Sequence, residues 1–264
     1  MEAEFDLGKI VSNYIQVRGL SEVKVNIEII IAEDFYDSYY NLSTEKQREE
    51  VIKKKDWINS LNGSVVFPEC IDGKCTILLS KPYILECFEN TNLNFVGTIC
   101  HELTHIYDHL GYMKIVGITD FEALPAHPTY NMFNNWTEFN ARKTGYLFLR
   151  NFYIKDPYEQ EIIDHVTKTE LPYQTNYYFE KYHSTTDGDL QIYITMQYLG
   201  RLKAWKDVYP DIFTSDFIFE LLKTNKWMID LFRFLDENDV LERAFGKFSK
   251  MKDILKTNFT FAEA

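Results

Sequence analysis

The sequence predicts an α+β fold, on three observations. A β-branched run, Val23 to Ala32, reads as a strand, and two further strand-like segments follow around residues 64–80. Beyond residue 135 the apolar spacing is almost entirely helical. At 264 residues, with 45% apolar and 26% charged side chains, the chain has ample material for a core.

Residues 4–18 are expected to be helical, because Phe5, Ile10, Val11, Tyr14 and Ile15 recur near the helical period. The run from Val23 alternates at first and is then continuously apolar, as a strand becoming fully buried would be. Thr44 and Gln47 form a capping-box pattern that opens a charged helix reaching about Ile58. Residues 64–71 and 74–80 are expected to form a hairpin around Asp72-Gly73, ended by Pro82, with Cys70 and Cys75 facing each other across it. A disulfide is geometrically possible there, but without a secretion signal both thiols are expected to be reduced.

Asn92 can cap a helix over 93–110, stopped by Gly111 and anchored by Phe95, Val96, Ile99, Leu103, Ile106 and Leu110. A long connection containing Gly117, Pro125 and Pro128 leads to a second helix over about 135–152. Helices are then expected at 158–169, 173–183, 189–207, 214–235 with a break near Asn225, and 237–257. This gives two domains, a mixed α/β part over 1–155 and an all-helical part over 156–264.

Lys and Arg number 28 against 40 Asp and Glu, a net charge of −12, so neither nucleic acid nor an anionic membrane surface is an expected partner. Lys53-Lys54-Lys55 reads as the solvated end of a charged helix. The acidic start, Met-Glu-Ala-Glu-Phe-Asp, is unlike a secretory leader, and no stretch of 18 apolar residues occurs. A cytoplasmic location is therefore expected.

Residues His101-Glu102-Leu103-Thr104-His105 carry the chemistry. Two imidazoles at i and i+4 on a helix face the same way and can share one Zn²⁺, with the intervening glutamate placed to take a proton from water. The third protein ligand is expected to be Glu138, which lies 138 − 105 = 33 residues past the second histidine. Ala141 and Gly145 follow it on one helix face, small enough for close helix approach. Glu122, Asp120 and His127 in the long connection are rivals. Asp108 and His109 are candidates to support a ligand imidazole. His127, Tyr130, Tyr146, Tyr182 and His183 are candidate donors to an oxyanion.

The pentapeptide with its downstream Glu resembles the gluzincin metallopeptidases. The longer string His101-Glu-Leu-Thr-His-Ile-Tyr-Asp-His109 is similar to the His-Glu-x-x-His-x-x-x-His of the ImmA/IrrE group of bacterial and phage metallopeptidases. The likeness covers roughly residues 65–150. It departs from the thermolysin and neprilysin pattern at Arg142, where those proteins place Asp four residues after the Glu. The resemblance implies a zincin-like catalytic domain, a small mixed sheet plus the motif helix, followed by a helical C-terminal region. It implies one Zn²⁺ per chain held by His101, His105 and Glu138, with Glu102 as general base for hydrolysis of a protein or peptide substrate. It also suggests that the strand at 76–80 offers an edge to an extended substrate.

A zinc-dependent endopeptidase is thus the leading expectation. A zincin-fold binding protein without turnover and a metal-dependent hydrolase of a non-peptide substrate are the alternatives. The sequence leaves the oligomeric state open.

Overall fold

The computed structural model describes residues 6–153, 159–223 and 225–259. Residues 4 and 5 of the expected first helix, and the expected domain boundary at 155/156, lie outside them. The chain is α+β, with fourteen α-helices and one three-stranded sheet among the described residues. It divides into two compact units, Met1–Ala126 and His127–Ala264.

The first unit opens with α1 (Leu7–Val17), capped by the Asp6 carboxylate, which accepts from the Lys9 amide. Strand β1 (Asn26–Ala32) follows, then a further helix, α2 (Phe35–Leu42), capped by the Asp34 carboxylate. The Thr44–Gln47 capping box is present and opens α3 (Glu45–Lys53). The helix breaks at Lys54 and resumes as α4 (Lys55–Asn59).

Strands β2 (Gly63–Val66) and β3 (Lys74–Ser80) complete a sheet of order β1-β3-β2. β1 runs parallel to β3, with Asn26 opposite Lys74 and Ala32 opposite Ser80; β2 is antiparallel, with Gly63 opposite Leu79 and Val66 opposite Thr76. The central strand is therefore β3, and Ile77, Leu78 and Leu79 are each fully buried. This corrects two expectations. The 76–80 segment is no edge, because both of its sides are paired. The β-branched run is not a fully buried strand, because β1 lies at the edge and leaves Ile31 44% exposed.

The hairpin is also shorter than expected. β2 ends at Val66, ahead of Pro68, which has no N–H to continue the ladder. Cys70 instead pairs with Asp120 in an isolated bridge, and a tight turn closes where Gly73 N–H donates to the Cys70 carbonyl at 3.0 Å. A side chain at Gly73 would stand 2.4 Å from Pro68 Cβ, so this turn requires glycine. Cys70 and Cys75 do not face each other. All four cysteines are free, Cys70 exposed and the others buried.

Pro82 does not merely end a strand: it occupies the first turn of α5 (Lys81–Glu89), where its missing N–H costs nothing. Helix α6 (Asn94–Val116) begins beside Asn92, whose side-chain oxygen accepts from the Asn94 amide. It passes through Gly111 and stops at Gly117, which takes the left-handed conformation (φ 72°). A mid-helix glycine costs about 1 kcal/mol. Burying Tyr112 and Met113, at 0% and 1% exposed, contributes about 1.5–3 kcal/mol each and outweighs it. A 3₁₀ turn at Phe121–Ala126 ends the unit.

In the second unit every described element is helical: α7 (Tyr130–Tyr153), α8 (Glu159–His165), a π turn (Val166–Glu170), α9 (Leu171–His183), α10 (Gly188–Val208), α11 (Ser215–Leu222), α12 (Lys226–Glu237), α13 (Leu241–Phe245) and α14 (Phe248–Lys256). The break expected near Asn225 separates α11 from α12. Helix α7, which the sequence reading grouped with the mixed part, packs along α10 here. Gly200 permits their close approach, since a Cβ there would meet the Phe139 carbonyl at 2.6 Å. Trp136 also anchors α7 by donating to the Asn238 carbonyl at 2.8 Å.

Candidate metal centre

Helix α6 is buried from Ile99 to Leu110, which places polar side chains in the interior. His101, Glu102 and His105 are 8%, 6% and 9% exposed. One helical turn brings the two imidazoles together. Their Nε2 atoms are 3.0 Å apart, and the rings meet nearly at right angles (81°). Two nitrogens bound at about 2.0–2.1 Å to one tetrahedral ion stand about 3.3 Å apart, so the pair is close to the spacing a shared ion requires.

Glu138, on α7, supplies a carboxylate oxygen to the same group. One ligand atom from each of His101, His105 and Glu138 lies within 4.8 Å of the others, the only such cluster of three metal-ligating side chains among the described residues. Two imidazole nitrogens and one carboxylate oxygen, with no thiolate, are a donor set suited to a borderline divalent ion with an open coordination position. This buried group can hold a metal ion. Burial pushes the Glu138 carboxyl up to about 7, against the Arg142 guanidinium and a hydrogen bond from Gln197, which pull it down.

The helix bearing the histidines is held from behind. The Thr104 hydroxyl donates to the Cys100 carbonyl at 2.7 Å, so the Tyr14 hydroxyl, 3.0 Å away, donates to Thr104. Tyr14 is fully buried and stacks on Tyr107, tying α1 to α6. Asp108 is buried on the same helix, and its charge helps raise the Tyr14 hydroxyl, whose main cause is burial. His109 donates from Nδ1 to the His105 carbonyl at 2.8 Å and packs 4.5 Å from the Phe67 ring. Burial drives it down to about 4, so it is a neutral imidazole at physiological pH.

The other loop candidates are engaged elsewhere. Glu122 accepts from Thr44 and pairs with Lys46 at 2.8 Å, fastening the start of α3. Asp120 accepts from the Glu122 amide at 2.7 Å. His127 Nδ1 lies 3.1 Å from the Thr129 hydroxyl at the entry to α7, and Tyr130 begins that helix with its ring near Phe133. Tyr146 donates to Glu170 and accepts from Gln174, and Tyr182 packs among Tyr178, His183 and Trp227. His183 is exposed.

Two neighbours of the site carry no signal in the sequence. Tyr39 is raised by burial, opposed by a hydrogen bond to Ser64 and reinforced by the charge of Glu102, which puts its hydroxyl within electrostatic reach of that carboxylate. It comes from a tyrosine-rich helix with no motif. Gln197, on α10, stands beside Glu138 and Arg142 through packing alone.

No helix among the described residues is long and apolar enough to cross a membrane. Comparisons with protein-family models, with curated proteins and with solved structures gave no match to this chain.

Proposed function

We propose that the chain is a zinc-dependent endopeptidase of the gluzincin type, with a protein or peptide as substrate. The observation that carries this reading is the convergence of His101, His105 and Glu138 donor atoms within 4.8 Å, beside a buried Glu102. The likeness of residues 101–109 to the ImmA/IrrE metallopeptidases supports the same chemistry. A zinc ion at such a donor set supplies a Lewis acid and brings the pKa of water toward neutrality.

The chain's own residues do the rest. His101 and His105 present imidazole nitrogens, held in register by one helical turn. Glu138 would add a carboxylate, so that these three side chains would hold the ion. Glu102 follows His101 directly and is only 6% exposed, so its carboxylate works in a poorly solvated setting. There it takes the proton from the attacking water and returns it to the departing amine. A base beside the metal-ligating histidines has no use in a purely structural site, which favours catalysis over simple metal storage.

The test is metal content and peptide cleavage by wild type and Glu102→Gln. Wild type should bind one zinc per chain and cleave members of a mixed peptide library, with chelation abolishing cleavage. Glu102→Gln should keep the zinc and lose activity by roughly 10²–10⁴-fold. Stoichiometric zinc with no Glu102-dependent cleavage would sink the peptidase reading.

A further inference from the structure

We infer that Gln197, held in place by Arg142, is the positioning residue that aims the Glu138 carboxylate at the two histidines. This rests on the metal-centre reading above and adds to it a device built wholly within the helical unit.

The close approach of α10 to α7 at Gly200 brings the preceding turn of α10, with Gln197, over the face of α7 that carries Glu138 and Arg142. Arg142 Nη2 donates to Gln197 Oε1 at 2.7 Å. That bond decides which way the amide points. Its oxygen is occupied by the guanidinium, so its N–H₂ end is the one that hydrogen-bonds Glu138. A primary amide can accept at one end and donate at the other, as neither a carboxylate nor an aliphatic side chain can. Arg142 lies one helical turn past Glu138, at i+4, and its charge also favours the ionised carboxylate.

Neither an amide nitrogen nor a guanidinium competes for a metal ion. The pair can therefore fix the rotamer of the carboxylate and leave its second oxygen for the ion. Partners of this kind typically contribute 10–100-fold to metal affinity. Arg142 also explains how this chain does without an acidic residue four positions after its Glu. Here the support for the ligand comes from a neighbouring helix.

The experiment is zinc affinity by chelator competition, read with thermal midpoints, for wild type, Gln197→Met and Gln197→Glu, each also in a Glu138→Gln background. Gln197→Glu is the discriminating variant. It can still accept from Arg142, so the α7–α10 contact and the midpoint should persist, but it presents a second carboxylate to Glu138. Both single variants should bind zinc 10–100-fold more weakly than wild type, and neither should weaken binding further once Glu138 is Gln. Gln197→Asn, which keeps both polar ends on a shorter stem, serves if Gln197→Met does not fold, and should also bind more weakly. Zinc affinity of Gln197→Glu equal to wild type overturns the inference, as does an equal loss in the Glu138→Gln background. A wild-type protein that binds no zinc overturns the metal centre itself, a different and recognisable result.

Discussion

The Nε2 atoms of His101 and His105 lie 3.0 Å apart across one turn of α6, both in the protein interior. Two such nitrogens can be neighbours at this distance as a neutral pair sharing a proton, or as a pair facing one cation. Protonation of both is unfavourable because the charges would repel at close range in a poorly solvated place.

Metal affinity should therefore depend steeply on pH. Both imidazoles must be neutral and Glu138 ionised before an ion is held. The Glu138 carboxyl, pushed up to about 7 in the metal-free protein, keeps its proton below that pH, so binding must displace it. Zinc affinity measured from pH 8 down to pH 5.5 should fall throughout. Glu138→Gln should bind more weakly overall and show a shallower fall. An affinity independent of pH over this range would rule out ligation by these three groups.

Gly200→Ala should loosen the helical unit. The added methyl would sit 2.6 Å from the Phe139 carbonyl and 2.9 Å from Arg142 Cβ, and backbone cannot step aside as a side-chain tip can. A loss of about 1–3 kcal/mol in denaturant unfolding is expected. Unchanged stability would mean that the two helices do not approach this closely.

Lys203 sits at the centre of an acidic group, with Asp207 as its hydrogen-bonded partner, Asp236 at 3.3 Å and Asp239 at 3.6 Å. Burial works to lower its pKa, but the bond to Asp207 and the three negative charges raise it on balance. A lysine whose folded pKa is raised contributes stability that is fully present below its unfolded value of about 10.4 and is lost as pH climbs through the folded value. Lys203→Met should therefore be less stable than wild type at pH 7, by about 1–3 kcal/mol because the aspartates are partly solvated. The gap should narrow above about pH 10.4. A gap that is constant to pH 11.5 would show that packing, not charge, accounts for the loss.

The thiols should divide sharply in reactivity. Cys70 is exposed, while burial pushes Cys75 up to about 11 and Cys100 up to about 12. One equivalent should react rapidly with a thiol reagent in the native protein and four after unfolding, with Cys70→Ser removing the fast equivalent. Slow reaction of all four in the native state would indicate that Cys70 is covered or oxidised.

Some of this was written locally and some was not. The capping box at Thr44 and the break at Asn225 were legible because each is a contest among neighbouring backbone groups. The stop of α6 was misread at Gly111 for the opposite reason. What carries the helix on to Gly117 is the burial of Tyr112 and Met113, which no capping residue signals. The facing of Cys70 and Cys75 failed likewise. A dipeptide signals a turn, but strand pairing elsewhere and Pro68 determined the register.

By itself the sequence determined that His101, Glu102 and His105 would form one unit, because the helical period of 3.6 residues places i and i+4 side by side in any environment. It also nominated Glu138, though only as the best of several acidic side chains. Tertiary structure alone decided that Glu138 joins the histidines while Glu122 is tied to Thr44 and Lys46. It also decided that Gln197 of α10 meets Arg142 and Glu138 of α7, and that β3 lies at the centre of the sheet. These are matters of which surfaces bury one another across long separations in the chain, and no local spacing encodes them.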